Sequence, residues 1–260
     1  MTLETIFVGP APRIAVSVAG QGPLVLFLHG IRGNRCNWHH QLEAFSKNFR
    51  AAAWDARGYG DSDDYDGPLQ FDHFSGDVLR VAGHLKANKL HLVGLSMGGR
   101  IARNVALHYP ERLHTLTLVS TTPGFDALSA DEVRRFVTGR KSGTPETVRR
   151  LLGSRAHPGA FDQLMESLSL LHEESYRKTL EASVAQDRGA PIEKIRVPTL
   201  VIAGDEDRVY PPALARDLAR RIPGSELAMI QGAGHVVNLE QPERFNQLVL
   251  EFIMKKETAS

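Results

Sequence analysis

The sequence has very little cysteine, no long apolar run and almost no net charge. With Cys36 as the only cysteine among 260 residues, no internal disulfide can form, and this usage is typical of a reducing compartment. No stretch approaches the ~18 apolar residues that cross a bilayer. The N-terminus also lacks the basic and apolar segments of a signal peptide. We therefore expect a cytoplasmic protein that does not interact with a membrane.

The balance of charge argues against a polyanionic partner. Lys and Arg together number 31 and Asp and Glu number 30, so no overall field would attract nucleic acid. The histidines, including the adjacent His39 and His40, show neither His-Glu-x-x-His nor Cys-x-x-Cys spacing. We therefore expect no nucleic-acid partner, no metal and no cofactor. The sequence contains no pattern that predicts an oligomeric state.

The sequence does contain an alternation of apolar strands with amphipathic helices. The runs predicted as strands of the main sheet are residues 24–28, 51–54, 90–93, 113–119, 198–203 and 227–230. Several are continuously apolar, as strands covered on both faces must be. Two earlier runs, residues 5–8 and 13–18, predict an antiparallel ribbon at the sheet edge. This alternation predicts an α/β fold with a mostly parallel, doubly covered sheet.

The alternation stops after Thr122, where helical patterns follow without a convincing strand. So much helix is too long for a crossover between neighbouring strands. We therefore expect a core of residues 1–123 and 193–260, with residues 124–192 inserted as a helical cap. The cap carries the basic residues Arg134, Arg135, Arg140, Lys141, Arg149, Arg150 and Arg155. They favour an anionic substrate, although the solvated faces of amphipathic helices explain them equally well.

A Gly-x-Ser-x-Gly stretch at residues 94–98 is central to the predicted function. It follows a predicted strand and leads into a helical pattern, which is the context of a nucleophile elbow. In that turn Ser96 takes a strained backbone conformation and presents its Oγ at a helix N-terminus. Ser96 is therefore the candidate nucleophile.

An activated serine needs a base, and the base needs an acceptor that fixes its tautomer. His235 directly follows the last predicted strand and is the candidate base. The preceding strand leads into Asp205, Glu206 and Asp207. Catalytic groups of open α/β sheets gather at such carboxyl ends. One of these three carboxylates is therefore the expected acid.

These motifs together resemble the α/β-hydrolase fold superfamily from residue 20 to about residue 252. The matching landmarks are His29-Gly30, Asp55-x-Arg57-Gly58-x-Gly60-x-Ser62, Gly94-x-Ser96-Met97-Gly98-Gly99, Gly204-x-x-Asp207-x-x-x-Pro211 and Gly234-His235. The resemblance implies Asp207 as the acid and the backbone N–H groups of Ile31 and Met97 as an oxyanion hole. It also implies acyl transfer through an acyl-enzyme, without a cofactor.

Single residues within these motifs indicate which branch of the superfamily the chain resembles. A serine at the elbow argues against dehalogenases and epoxide hydrolases, which carry aspartate there. The motifs around Ile31 and Ser96 most resemble the 3-oxoadipate enol-lactonase group and neighbouring esterases, which implies a small ester or lactone as substrate. Hydrolysis of a carbon-carbon bond in ring-fission diketones stays open, although Leu95 and Val236 replace the asparagine and tryptophan typical of that group. A small-molecule receptor that keeps the triad is a further alternative.

Several apolar side chains are candidates for the substrate pocket because of their positions near the motifs. They are Trp38, Leu95, Phe125, Phe136 and Val236. Simple core packing explains each of them as well.

Overall fold

The computed structural model describes residues 2–124, 131, 144–186 and 190–258. Within these residues, eight strands form one sheet in the order β1-β2-β4-β3-β5-β6-β7-β8. The strands are β1 (Glu4–Val8), β2 (Ile14–Ala19), β3 (Leu24–Leu28), β4 (Arg50–Trp54), β5 (Leu90–Leu95), β6 (Leu113–Val119), β7 (Thr199–Gly204) and β8 (Glu226–Ile230). β1, β2 and β4 pair antiparallel, whereas the pairs from β4 through β3 to β8 are parallel. The mostly parallel sheet and its antiparallel edge ribbon are thus confirmed.

Helices cover both faces of this sheet. They are α1 (His39–Phe45), α2 (Asp72–His84), α3 (Met97–His108), α4 (Pro145–Arg149), α5 (Ala160–Ser169), α6 (Glu173–Gln186), α7 (Pro212–Arg221), α8 (Val237–Glu240) and α9 (Pro242–Glu257). Alternate residues of β3 belong to opposite core layers: Leu26 packs in the layer that includes Val78 of α2. Phe27 packs in the layer that includes Phe245 of α9. A continuously apolar strand is therefore required, because successive side chains point to opposite faces.

Three of the described helices, α4 to α6, lie between β6 and β7, where the sequence predicts helices. Thr144 caps α4 by accepting the N–H of Thr147 at 3.3 Å, and Pro145 occupies the first turn. Phe125 and Phe136, as well as the basic residues from Arg134 to Lys141, lie outside the described residues. No helix in the described ranges is both long enough and apolar enough to cross a membrane.

Candidate active site

The turn between β5 and α3 has the backbone geometry of a nucleophile elbow. Ser96 precedes α3 with φ 55° and ψ −110°, a region that residues other than glycine rarely adopt. A Cβ on Gly98 would lie 2.2 Å from the carbonyl oxygen of Leu28, and one on Gly94 would lie 2.2 Å from that of Gly98. Glycine is therefore required on both sides of the serine, because the backbone segments approach too closely for a side chain.

Two hydrogen bonds from the neighbouring strand hold the backbone of Ser96. Its N–H donates to the carbonyl oxygen of Val119 at 2.8 Å. Thr121, two residues after β6, donates its Oγ1 hydrogen to the carbonyl oxygen of Ser96 at 2.8 Å. The strained conformation is thus fixed by the sheet, and Ser96 is held at the N-terminus of α3, where the helix dipole favours negative charge.

The loop after β3 passes directly beside Ser96. A Cβ on Gly30 would lie 3.4 Å from the Cβ of Ser96, and the N–H of Gly98 donates to the carbonyl oxygen of His29 at 3.1 Å. Among the described residues, no protein acceptor binds the N–H of Ile31 or that of Met97. Two unused donors therefore lie in the two turns next to the serine, as an oxyanion hole requires.

Two hydrogen bonds of the His29 side chain hold the loop after β3 in position. Its Nε2 accepts the N–H of Ala56 at 3.0 Å, so Nδ1 carries the proton and donates to the carbonyl oxygen of Gly30 at 2.7 Å. Complete burial lowers the pKa of His29 below its usual range, and the ring is neutral at pH 7. In the sequence His29 is only a landmark of a motif, whereas in the structure it joins the loop to the segment that follows β4.

His235 and Asp207 form a buried pair at the carboxyl ends of β8 and β7. His235 Nδ1 lies 2.9 Å from Asp207 Oδ2, and the carboxylate is fully buried. The other oxygen, Oδ1, accepts the N–H groups of Val209 at 2.8 Å and Tyr210 at 3.0 Å. With its proton on Nδ1, the imidazole has an unprotonated Nε2, which can accept a second proton.

The two neighbouring carboxylates have other partners. Asp205 Oδ1 accepts the N–H of Gly232 at 2.7 Å, and Glu206 accepts the N–H and the hydroxyl of Ser154 at 2.8 and 2.6 Å. Of the three acidic residues that follow β7, Asp207 is thus the one that contacts the imidazole.

The described pocket candidates are buried apolar residues in the same core layer. Trp38 is 0% exposed, and its ring stacks on Phe27 with centroids 5.1 Å apart. Leu95 and Val236 are 4% and 5% exposed. A Cβ on Gly30 would lie 3.8 Å from Leu95 Cδ2, so Leu95 also borders the loop beside the serine. No group of three potential metal ligands occurs in the part of the chain that the structure describes.

The chain matches a known protein family over most of its length. The model of the alpha/beta hydrolase family matches residues 25–248. The chain belongs to the alpha/beta hydrolase family. The match runs from β3, which precedes the Gly30 loop, through the elbow and His235 into α9, and so includes all the motifs described above.

Individual members of the alpha/beta hydrolase family are similar over nearly the whole chain. A 3-oxoadipate enol-lactonase of Acinetobacter baylyi is 28% identical over 242 residues, covering 90% of this chain and 89% of its own. A 2-hydroxy-6-oxononadienedioate/2-hydroxy-6-oxononatrienedioate hydrolase of Burkholderia vietnamiensis is 30% identical, covering 95% and 93%. The structure of a thermophilic esterase from Thermogutta terrifontis is 29% identical with a TM-score of 0.81, covering 98% and 99%. These similarities support hydrolase activity, and the three proteins differ in their substrates.

Proposed function

We propose that the protein is a serine hydrolase of small carboxylic esters or lactones. Ser96 is the nucleophile, His235 the general base and Asp207 the acid that orients the base. The observation that carries the proposal is the 2.9 Å contact between His235 Nδ1 and buried Asp207 Oδ2, in a fold whose elbow holds Ser96 at φ 55°. The similarity to a lactonase and an esterase supports the same chemistry.

In the proposed mechanism, His235 Nε2 takes the proton of Ser96 as Oγ attacks the substrate carbonyl carbon. The N–H groups of Ile31 and Met97 bind the oxyanion, and each such donor is worth roughly 10²- to 10³-fold in rate. The imidazolium then protonates the departing alkoxide, and the acyl group stays on Oγ. Water that gives its proton to His235 attacks the acyl-enzyme, releasing the acid and restoring Ser96.

Residues 124–192 are proposed to be a cap over a core of residues 1–123 and 193–260. Two contacts support this division. Tyr176 of α6 accepts a hydrogen bond from Arg32, which lies directly after Ile31, at 3.3 Å. The carbonyl oxygen of Leu151 accepts the N–H of His235 at 2.7 Å. Both the nucleophile side and the base side of the site therefore border the inserted segment.

The deciding experiment is steady-state hydrolysis by the wild type, by Ser96→Ala and by a control, Ser169→Ala, which changes an exposed serine of α5. The panel is a p-nitrophenyl ester, a neutral lactone, an enol-lactone and a vinylogous diketone. We expect multiple turnover of an ester or lactone, which Ser96→Ala abolishes and Ser169→Ala leaves intact. Preference for the diketone would instead favour carbon-carbon hydrolysis. Failure of every substrate, with Ser96 unreactive toward a fluorophosphonate, would refute the proposal and favour a receptor.

We further propose that the substrate carries an acidic group, which binds Arg32. Its Nη2 is buried without a hydrogen-bond partner among the described residues, and Nε donates to the hydroxyl of Tyr176. A buried donor left unpaired costs about 1–3 kcal/mol, which a substrate carboxylate would recover. The described cap arginines are poorer candidates, because Arg149, Arg150 and Arg155 are exposed. The exposed guanidinium of Arg150 also has a partner, Glu146.

The acidic group is tested by comparing a neutral p-nitrophenyl ester with the matching half-ester of a dicarboxylic acid. We expect Arg32→Gln to lower kcat/KM for the acidic ester at least about tenfold more than for the neutral one. Arg150→Gln, which removes an exposed cap arginine, should change both values equally. An unchanged ratio in Arg32→Gln would refute the anion site while leaving the serine hydrolase intact.

A further inference from the structure

A buried carboxylate that the proposed mechanism does not use lies next to the candidate base. Glu240, the last residue of α8, is 1% exposed. Its Oε2 accepts the N–H groups of Gly153 at 2.6 Å and Gly234 at 2.8 Å, and its Oε1 accepts that of Val236 at 3.0 Å. Two of these three donors flank His235 in sequence. The carboxylate therefore holds the backbone immediately before and immediately after the imidazole.

The third donor, the N–H of Gly153, belongs to a segment that packs tightly against residues 231–236, which we call the histidine loop. Residues 151–157, which we call the strap, connect α4 to α5. The N–H of Arg155 donates to the carbonyl oxygen of Gly232 at 2.8 Å, and that of His157 donates to the carbonyl oxygen of Glu240 at 2.8 Å. A Cβ on Gly153 would lie 2.4 Å from the carbonyl oxygen of Gly232. The backbones of the strap and the histidine loop are thus in direct contact.

The histidine loop needs such support because its own sequence does not order it. Gly232 has φ +72°, and a glycine on each side of Ala233 gives this stretch much conformational freedom. Asp207 holds the imidazole only through Nδ1, which fixes the ring but not the backbone that carries it. The carbonyl oxygen of Leu151 binds the N–H of His235 itself at 2.7 Å, and Glu240 adds a restraint on the residue before it and on the residue after it.

We infer that Glu240 is a positioning residue, which holds His235 in place beside Asp207 by binding the backbone on either side of the imidazole. This inference rests on the proposed function, in which His235 is the base. Glutamate suits the role because both of its oxygens are acceptors. Glutamine would turn an NH₂ group toward at least one of the three N–H donors.

The carboxylate also bears on the charge that His235 acquires during the reaction. Burial raises the pKa of Glu240 above its usual range, while the three N–H groups and the nearby His235 act in the opposite direction. Among the described residues, Asp207 and Glu240 are the carboxylates in contact with the imidazole or its flanking backbone. The Tyr210 ring also packs against the imidazole, with ring centroids 5.6 Å apart. An ionised Glu240 stabilises the imidazolium that forms during the reaction, so removing its charge disfavours that cation.

The test uses Glu240→Gln and Glu240→Asp in the full chain, with kcat and KM measured against pH for the best ester or lactone. We expect Glu240→Gln to lower kcat by about 10²-fold, the loss typical of a misplaced catalytic group, with KM nearly unchanged. The acidic limb of its kcat/KM profile should move to lower pH. Glu240→Asp keeps the charge but shortens the side chain, so its kcat should fall while the acidic limb stays in place.

The outcomes separate this inference from the proposed function. If Ser96→Ala abolishes turnover but folded Glu240→Gln keeps a kcat within twofold of wild type, or keeps the wild-type acidic limb, the positioning role is wrong. If Glu240→Gln does not fold, a wild-type kcat in Glu240→Asp overturns the inference. If Ser96→Ala retains turnover, the proposed function itself fails. Thermal unfolding of each variant establishes that the protein compared is folded.

Discussion

Replacing Asp207 with asparagine tests the assignment of the acid most directly. Asp207 Oδ1 accepts two backbone N–H groups, those of Val209 and Tyr210. In Asp207→Asn the amide oxygen must stay at this position, because an NH₂ group there would face two donors. The NH₂ group therefore replaces Oδ2 and faces His235 Nδ1, which then has to act as an acceptor. The imidazole proton moves to Nε2, and the base can no longer accept the proton of Ser96.

The expected effect is a loss of about 10⁴-fold in kcat, the size typical of a triad histidine held in the wrong tautomer. The side chains have nearly the same shape, so the unfolding midpoint should change little. Asp205→Asn is the matched control: it lies on the same loop and binds Gly232 instead of the imidazole, so its kcat should stay within about tenfold of wild type. Steady-state kinetics and thermal unfolding of both variants give the answer. Equal losses in the two variants, or less than tenfold in Asp207→Asn, would refute the reasoning.

Three further predictions concern residues whose packing or pairing stabilises the fold. Gly98→Ala places a Cβ 2.2 Å from the carbonyl oxygen of Leu28, so we expect lost turnover and about 1–3 kcal/mol less stability in urea unfolding. Asp77→Ala leaves the part-buried Arg57 without its carboxylate partner and should cost about 3–5 kcal/mol, also measured in urea. Burial lowers the pKa of His91 to about 4. The folded state therefore loses up to about 3 kcal/mol of stability as pH falls from about 6.5 to 4, and His91→Gln should remove this dependence.

The architecture could be predicted from the sequence because its signals are local. The five apolar residues of β3 must face helices on both sides, and the structure divides them between two core layers. The glycines at positions 94 and 98 likewise report a turn in which backbone segments nearly touch. Periodicity and glycine spacing carry this information without knowledge of distant contacts.

Residues that act through distant partners escaped the sequence analysis. Glu240 accepts an N–H from Gly153, 87 positions earlier in the chain, and nothing local distinguishes it from an ordinary helical glutamate. Charge counts point to the cap arginines and not to Arg32, because they do not reveal that one guanidinium nitrogen of Arg32 is buried. His91 is fully buried within an apolar strand, although its polarity gave no indication of that burial. Burial and pairing of single polar side chains depend on the tertiary structure.

The acidic residues around His235 show why a motif alone could not identify its supporting groups. Asp205, Glu206 and Asp207 are adjacent and chemically similar, yet they bind the histidine loop, the strap and the imidazole respectively. Glu240 adds a fourth carboxylate, bonded to backbone N–H groups on both sides of His235. Hydrogen bonds from backbone N–H groups to an ionised carboxylate are stronger than those between neutral groups. Four carboxylates thus bind His235, the histidine loop or the strap, and of these four only Asp207 contacts the imidazole itself.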